Sequence, residues 1–183
     1  VSSFYRSLGG GAGANPVGSI ERPRRDSDGG VPDDVLDRAS IVALWGAAND
    51  TGGKTAVLVS LLLFDGFTTP RMLRLDVADL ELGRAPMTIA DDGVRITVDP
   101  RTALAVRSYL GQRRNGPLLL GDRTVGAPER LTRFGVDYLV KQVGRRAGLE
   151  SGLTVTTVRR SVARAAASAG EAAQHDVEHR VDR

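Results

Sequence analysis

Three arginines, Arg159, Arg160 and Arg164, fall within two turns of the Ala-rich segment "TVTTVRRSVARAAASAG" near the end of the 183-residue sequence. Guanidinium groups spaced in this way can hold phosphate oxygens through paired, charge-assisted hydrogen bonds. Thr156 and Thr157, at the predicted start of this helix, would add hydroxyl and backbone N–H donors. The pattern therefore favours a phosphate-binding surface, and its alternative is an ordinary solvated basic face.

A second group of cations, Lys141, Arg145 and Arg146, lies on the helix predicted just before this one. The distribution of charge along the chain points the same way. Residues 101–183 hold 15 Lys/Arg against 8 Asp/Glu, whereas residues 1–100 hold 10 against 14. The second half is therefore the expected surface for a polyanion.

Other chemistries find little support. The sequence has no cysteine, which excludes thiol catalysis and thiolate metal sites. His175 and His179 are four residues apart but do not form an H-E-x-x-H motif, and they lie in a polar tail. In "AANDTGGKT", Ala48 stands where a P-loop requires its first glycine. We therefore predict neither a metal nor a cofactor.

The chain also lacks an apolar run of the roughly 18 to 20 residues that cross a membrane. Its first residues, "VSSFYRSLGGGAGANP", do not have the charged-then-apolar order of a signal peptide. We expect a soluble, cytoplasmic protein with no membrane partner.

These side chains must be positioned by a mainly helical fold. Asp37 is the predicted N-cap of a first helix, and the apolar run "KTAVLVSLLLFDG" predicts a buried second helix that ends at Gly66. Thr69 as N-cap and Pro70 at the first helical position predict a short third helix. "PMTIA" and "VRITV" around "DDG" predict an antiparallel hairpin.

Asp99 and Pro100 predict the start of the next helix, in "PRTALAVRSYLGQRR". In "LTRFGVDYLVKQVGRRAGL" the predicted apolar stripe of a further helix is Phe134, Tyr138, Leu139 and Val143. The expected fold class is thus mainly α with a small antiparallel β-hairpin (α+β).

The order of these elements resembles that of the catalytic domain of the tyrosine recombinases, the phage-integrase family. "FYRSL" and "NPVGSIERPR" resemble the end of that family's core-binding domain and its linker, which implies a division into residues 1–32 and a catalytic-like domain of residues 33–183. "LLLFDGFTTPRMLRLDVADLEL" resembles the family's Thr-Gly-Leu-Arg box, and "TVTTVRRSVA" falls on its His-x-x-Arg box.

The resemblance implies a DNA-cleaving site that is incomplete here. Family members attack a phosphodiester with a tyrosine while two arginines, a hairpin lysine and histidines assist. The first arginine falls on Thr68, the lysine on the acidic "ADDG" turn, and the histidine on Thr156, whereas the second arginine is retained as Arg159. The tyrosine would be expected about twenty residues after Gly170; Tyr5, Tyr109 and Tyr138 occupy other places.

Three hypotheses follow from this pattern. The leading one is a catalytically inactive member that binds duplex DNA without cutting it. The second is an active recombinase whose tyrosine lies downstream. The third is a protein-interaction module that keeps the fold to dock onto a genuine recombinase, another copy of itself or another partner, with no role for DNA. Arg71, three residues after Thr68, would share its helical face and could reach the phosphate. The predicted DNA contacts are Arg159, Arg160, Lys141, Arg145, Arg146, Arg71 and Arg74.

Overall fold

Helices dominate the chain, and the only strands among the described residues form one antiparallel pair, as the sequence predicts. The structure, a computed structural model, describes residues 35–122, 129–149 and 152–181, with side chains up to residue 168. The elements are α1 (Arg38–Thr51), α2 (Gly53–Leu63), α3 (Thr69–Arg74), a 3-10 turn (Val77–Asp79), β1 (Thr88–Asp91), β2 (Val94–Thr97), α4 (Pro100–Leu110), α5 (Arg133–Arg146) and α6 (Val155–Val181).

The centre of the core is α2. Its residues 55–63 are all buried, and the helix packs against α1, α4, α5 and α6. A helix that is apolar nearly all round is stable only when neighbours cover every face, because the transfer of each large aliphatic side chain out of water contributes about 1.5 to 3 kcal/mol. The other helices are thus held in place by a shared partner.

The helices begin and end close to the predicted residues, at caps and turns. The Asp37 carboxylate accepts the Ser40 N–H at 2.7 Å at the start of α1. The second helix ends at Leu63, and the chain turns back through Gly66, whose φ of 64° suits a residue without a side chain. The prediction for α3 was wrong by one residue, because Thr68 is its N-cap and Pro70 takes the second helical position.

The Asp-Gly turn signal predicts the hairpin correctly. Asp91 of β1 pairs with Val94 of β2, so that Asp92 and Gly93 make a two-residue turn. Both turn residues have positive φ, 47° and 79°, which is the turn form that matches the twist of paired strands. The carboxylates of Asp91 and Asp92 therefore lie at the tip of a well-defined hairpin.

The apolar face of α5 differs from the prediction. Leu139 and Val143 are buried as expected, but the buried face is completed by Val136 and Val140. Phe134 and Tyr138 are instead 85% and 56% exposed. The interior packing of α5 against α1, α2 and α3 is made by β-branched and aliphatic side chains, and the two aromatic rings point away from it.

Two predictions concern regions that are only partly described. Residues 1–34 lie outside the described residues, so the division into 1–32 and 33–183 stays a prediction. The side chains of His175 and His179 also lie outside them. Within the described part of the chain, no helix combines the length and hydropathy needed to cross a membrane.

Candidate functional site

A cleft of about 620 Å³ opens where the start of α3, one face of α5 and the start of α6 meet. The cleft brings together Thr68, Thr156 and Arg159, which the resemblance places around a phosphate. Three cations and one carboxylate line it, so its charge balance is positive. The polar and charged lining residues are Thr68, Thr69, Arg133, Asp137, Lys141, Thr154, Thr156 and Arg159.

The face of α5 that borders the cleft carries Arg133, Asp137 and Lys141. Residues four apart lie one above another on a helix, so these three side chains form a single row. The buried residues of α5, among them Val136 and Val140, lie on another face and attach the helix to the core. Of the row, only Lys141 was predicted as a site residue. The spacing of four, counted back from Lys141, is the signal that could have found Arg133.

The start of α6 forms another part of the cleft lining. Thr154 caps this helix, because its Oγ1 accepts the Thr157 N–H at 3.0 Å. The two threonine hydroxyls also lie 2.9 Å apart, so the Thr157 hydroxyl is engaged within the helix start. Thr156 and Arg159 are exposed. The first residues of α6 and Arg159 therefore line the cleft together.

Buried anchors on the other side of α6 fix this orientation. Val155 and Val158 are buried in the core. The hydroxyl of Ser161, 1% exposed, donates to the Thr157 carbonyl at 2.8 Å and accepts the Leu36 N–H at 2.7 Å. With this side held, Arg159 must face the solvent and the cleft.

Thr68 has two roles in the structure. It lines the cleft, and its Oγ1 accepts the Arg71 N–H at 3.4 Å as the N-cap of α3. Buried Phe67 precedes it and anchors the turn from α2. Threonine is a favoured N-cap, so the residue at this position serves helix initiation whatever it contributes to the cleft.

Arg71 and Arg74, which we predicted as DNA contacts, do not line the cleft. Arg71 Nε and Nη2 contact Asp91 Oδ2 at 2.6 and 2.5 Å, and its guanidinium lies 4.5 Å from the centre of the Phe67 ring. Arg74 Nη2 lies 3.1 Å from Asp92 Oδ2 and 3.8 Å from Asp91 Oδ1. The acids of the "ADDG" turn thus hold both arginines of α3; we call these four residues the hairpin clasp.

The other predicted contacts are spread around α5 and α6. Arg145 and Arg160 are exposed and lie outside the cleft lining. Arg146 donates through Nη1 to Thr51 Oγ1 at 2.8 Å, which directs it towards the end of α1. The cleft therefore gathers Lys141 and Arg159 of the predicted set and adds Arg133.

Away from the cleft, one carboxyl group has a raised pKa. Burial raises the pKa of Asp65, against the lowering effect of hydrogen bonds from Thr102 Oγ1 at 2.5 Å and the Asp99 N–H at 2.8 Å. These bonds join the turn after α2 to the start of α4, where hydrogen bonds from Arg101 lower the pKa of Asp99. In the described part of the chain, no group of three or more His, Asp or Glu side chains could hold a metal ion.

No protein-family model and no curated protein sequence matches the chain. Among solved structures, it is similar to the crystal structure of XerA recombinase, with a TM-score of 0.61 at 20% sequence identity. The likeness covers 74% of this chain and 51% of the recombinase, so the chain spans about half the length of that protein. The mostly helical structure with its small two-stranded sheet is therefore similar in fold to a tyrosine recombinase domain.

Proposed function

We propose that this chain binds duplex DNA through the cleft between α3, α5 and α6 without cutting it. The observation that carries the proposal is the meeting of Thr68, Thr156 and Arg159 at one positively charged cleft. The resemblance assigns an arginine, a histidine and an arginine to these positions. The cleft thus retains a means of holding phosphate but lacks two of the groups that assist its cleavage.

Phosphate binding would use two kinds of group. Arg159 presents a planar guanidinium that can bond two phosphate oxygens at once, and it lies one turn from the first amides of α6. Lys141 and Arg133 on α5 supply two further charges to the cleft lining. Contacts of this kind position a protein on DNA but carry no sequence information.

Loss of cleavage follows from the groups that are absent. Each preorganised donor to a developing oxyanion is typically worth on the order of 10² to 10³ in rate, and Thr68 and Thr156 replace two of them. The hairpin brings Asp91 and Asp92 instead of a lysine, and the clasp occupies Arg71, the nearest substitute. A tyrosine supplied from elsewhere would still lack most of the assistance that the family's chemistry needs.

Binding is tested by fluorescence anisotropy with a labelled duplex at several salt concentrations. We expect the affinity to fall steeply between about 50 and 200 mM salt, and Arg159→Ala and Lys141→Ala to weaken binding and flatten this dependence by about 0.9 per lost phosphate contact. Arg114→Ala removes the same charge from an exposed position beside α4 and serves as the control. Affinity indifferent to salt, or equal losses in all three variants, would overturn the proposal.

Cleavage is tested separately by incubating the full-length protein with a nicked suicide substrate. We expect no covalent protein–DNA adduct. An adduct that depends on Arg159 would favour the active recombinase instead. A chain that binds no DNA in any salt would leave docking onto another protein as the better account.

A further inference from the structure

The outward face of α5 carries two aromatic rings followed by two cations. Phe134, Tyr138, Lys141 and Arg145 are exposed. Their spacings of four, three and four place them in one column, about 16 Å long at 1.5 Å per residue. We call these four residues the α5 stripe.

The exposure of these two neighbouring rings to solvent is unusual for a protein surface. Phe134 is 85% exposed and its side chain has no polar atom, and Tyr138 is 56% exposed one turn away. The other large, exposed hydrophobic residues among the described ones are aliphatic and lie on separate elements, namely Val42, Val94 and Leu104. Adjacent exposed rings form an apolar surface, and covering it with a partner would lower the free energy of the complex.

The stripe is continuous with the proposed phosphate site. Lys141 belongs to both the stripe and the cleft lining, and Arg133 beside Phe134 also lines the cleft. A strand whose phosphate lies at Arg159 would therefore pass cations on its way to the rings. This continuity favours a nucleic acid over a protein as the partner of the stripe.

The rings also indicate the form of the nucleic acid. In a continuous duplex each base face is covered by its neighbours, so a ring meets only groove edges and sugars. An unpaired base offers its face, on which an aromatic side chain can stack whatever the base. We propose that the α5 stripe stacks on unpaired bases, so that the protein prefers a duplex interrupted by unpaired nucleotides. This inference rests on the proposed DNA binding.

The size of the preference follows from the stacking of each base. Alanine substitution at such platforms typically costs about 5-fold to 150-fold in affinity per base. We therefore expect the full chain to bind a bulged duplex roughly tenfold more tightly than the matched continuous duplex at the same salt concentration.

The experiment compares three labelled DNAs of related sequence: a continuous duplex, the same duplex with a short central bulge, and the single strand. Phe134→Ala and Tyr138→Ala should each reduce the preference for the bulge and leave binding to the continuous duplex nearly unchanged. Phe134→Tyr keeps a ring and should keep the preference. Leu104→Ala, at a residue 70% exposed on α4, is the matched control.

The outcomes separate this inference from the proposed function. Equal binding of both duplexes, or a preference that survives both alanine variants, overturns the stacking role while DNA binding stands. A loss of affinity for both duplexes alike in Phe134→Ala also overturns it, because the ring would then contact the groove. If no DNA binds, both proposals fail. Should the chain be a dimer by light scattering that Phe134→Ala dissociates, the stripe is a protein interface instead.

Discussion

The hairpin clasp allows a test of whether its ion pairs keep the arginines of α3 from binding DNA. The Arg71 side chain is two-thirds buried and makes two contacts with the Asp91 side chain, which is only 8% exposed. Arg74 is 59% exposed and shares Asp91 and Asp92. Both arginines follow the start of α3, which lines the cleft. The clasp therefore neutralises two cations beside the proposed phosphate site.

The expected effect of Asp91→Asn can be worked from these contacts. Removal of the carboxylate charge releases Arg71 for DNA. Each phosphate contact adds about 0.9 to the slope of log affinity against log salt, which at about 0.1 M salt corresponds to roughly eightfold in affinity. The variant should thus bind duplex DNA roughly eightfold more tightly, with a salt slope steeper by about 0.9. The folded state should lose about 1 kcal/mol, because the Asn amide can still accept a hydrogen bond from Arg71 but no longer carries the opposite charge.

Anisotropy titrations over a range of salt measure both quantities, and urea unfolding measures the stability. Asp50→Asn makes the same charge change on α1, in a separate depression beside Arg146, and should change neither quantity appreciably. Arg71→Ala combined with Asp91→Asn should abolish the gain. If Asp91→Asn has the same DNA affinity and salt slope as Asp50→Asn, the clasp does not keep Arg71 from binding DNA. The same conclusion follows if the double variant that lacks Arg71 keeps the gain in affinity.

Three further predictions concern the cleft, the helix packing and the buried carboxyl group of Asp65. Thr68→Arg should add a cation to the cleft and steepen the salt slope of DNA binding by about 0.9, as measured by anisotropy. Gly144→Ala would place a Cβ 2.9 Å from Leu153 Cδ2, where α5 meets the segment before α6. This variant should lower the free energy of unfolding, measured in urea, by about 1 kcal/mol. Gly46→Ala, which has open space around it, should instead raise the free energy of unfolding by about 0.5 to 1 kcal/mol. Since burial raises the pKa of Asp65, its carboxyl stabilises the fold at acid pH and loses this contribution as pH rises from about 4 through the raised pKa. Asp65→Asn should therefore gain stability relative to the natural protein across that range, in urea titrations at several pH values; a constant difference would contradict the reasoning.

Local chemistry in the sequence was sufficient for most of the secondary structure. Asp37 and Asp99 cap helices because a short side-chain acceptor can reach the free N–H groups of the first turn. Asp92 and Gly93 adopt positive φ in the hairpin turn because this dipeptide tolerates that conformation. These features depend on a few neighbouring residues, which is why the pattern alone predicts them.

Contacts between segments that are distant in the sequence determine which face of a helix is buried and which residues form the cleft. The sequence of α5 contains apolar residues on more than one face, and only its packing against α1, α2 and α3 buries Val136 and Val140 and leaves Phe134 and Tyr138 in solvent. The apolar pattern could not choose between these faces, because it records which side chains avoid water but not which neighbour covers them.

The contacts of the arginines likewise depend on both the sequence and the tertiary structure. Helical spacing correctly put Arg71 near Thr68, but an acid twenty residues along the chain, Asp91, determines what its guanidinium contacts. Arg159 and Lys141 could each be recognised from their own segments, but that Arg133 and Lys141 line one cleft with Arg159 could not, since they come from another helix. The sequence by itself determined the elements and the types of charge; the tertiary structure decided which charges meet, because electrostatic contacts depend on distance in space and not along the chain.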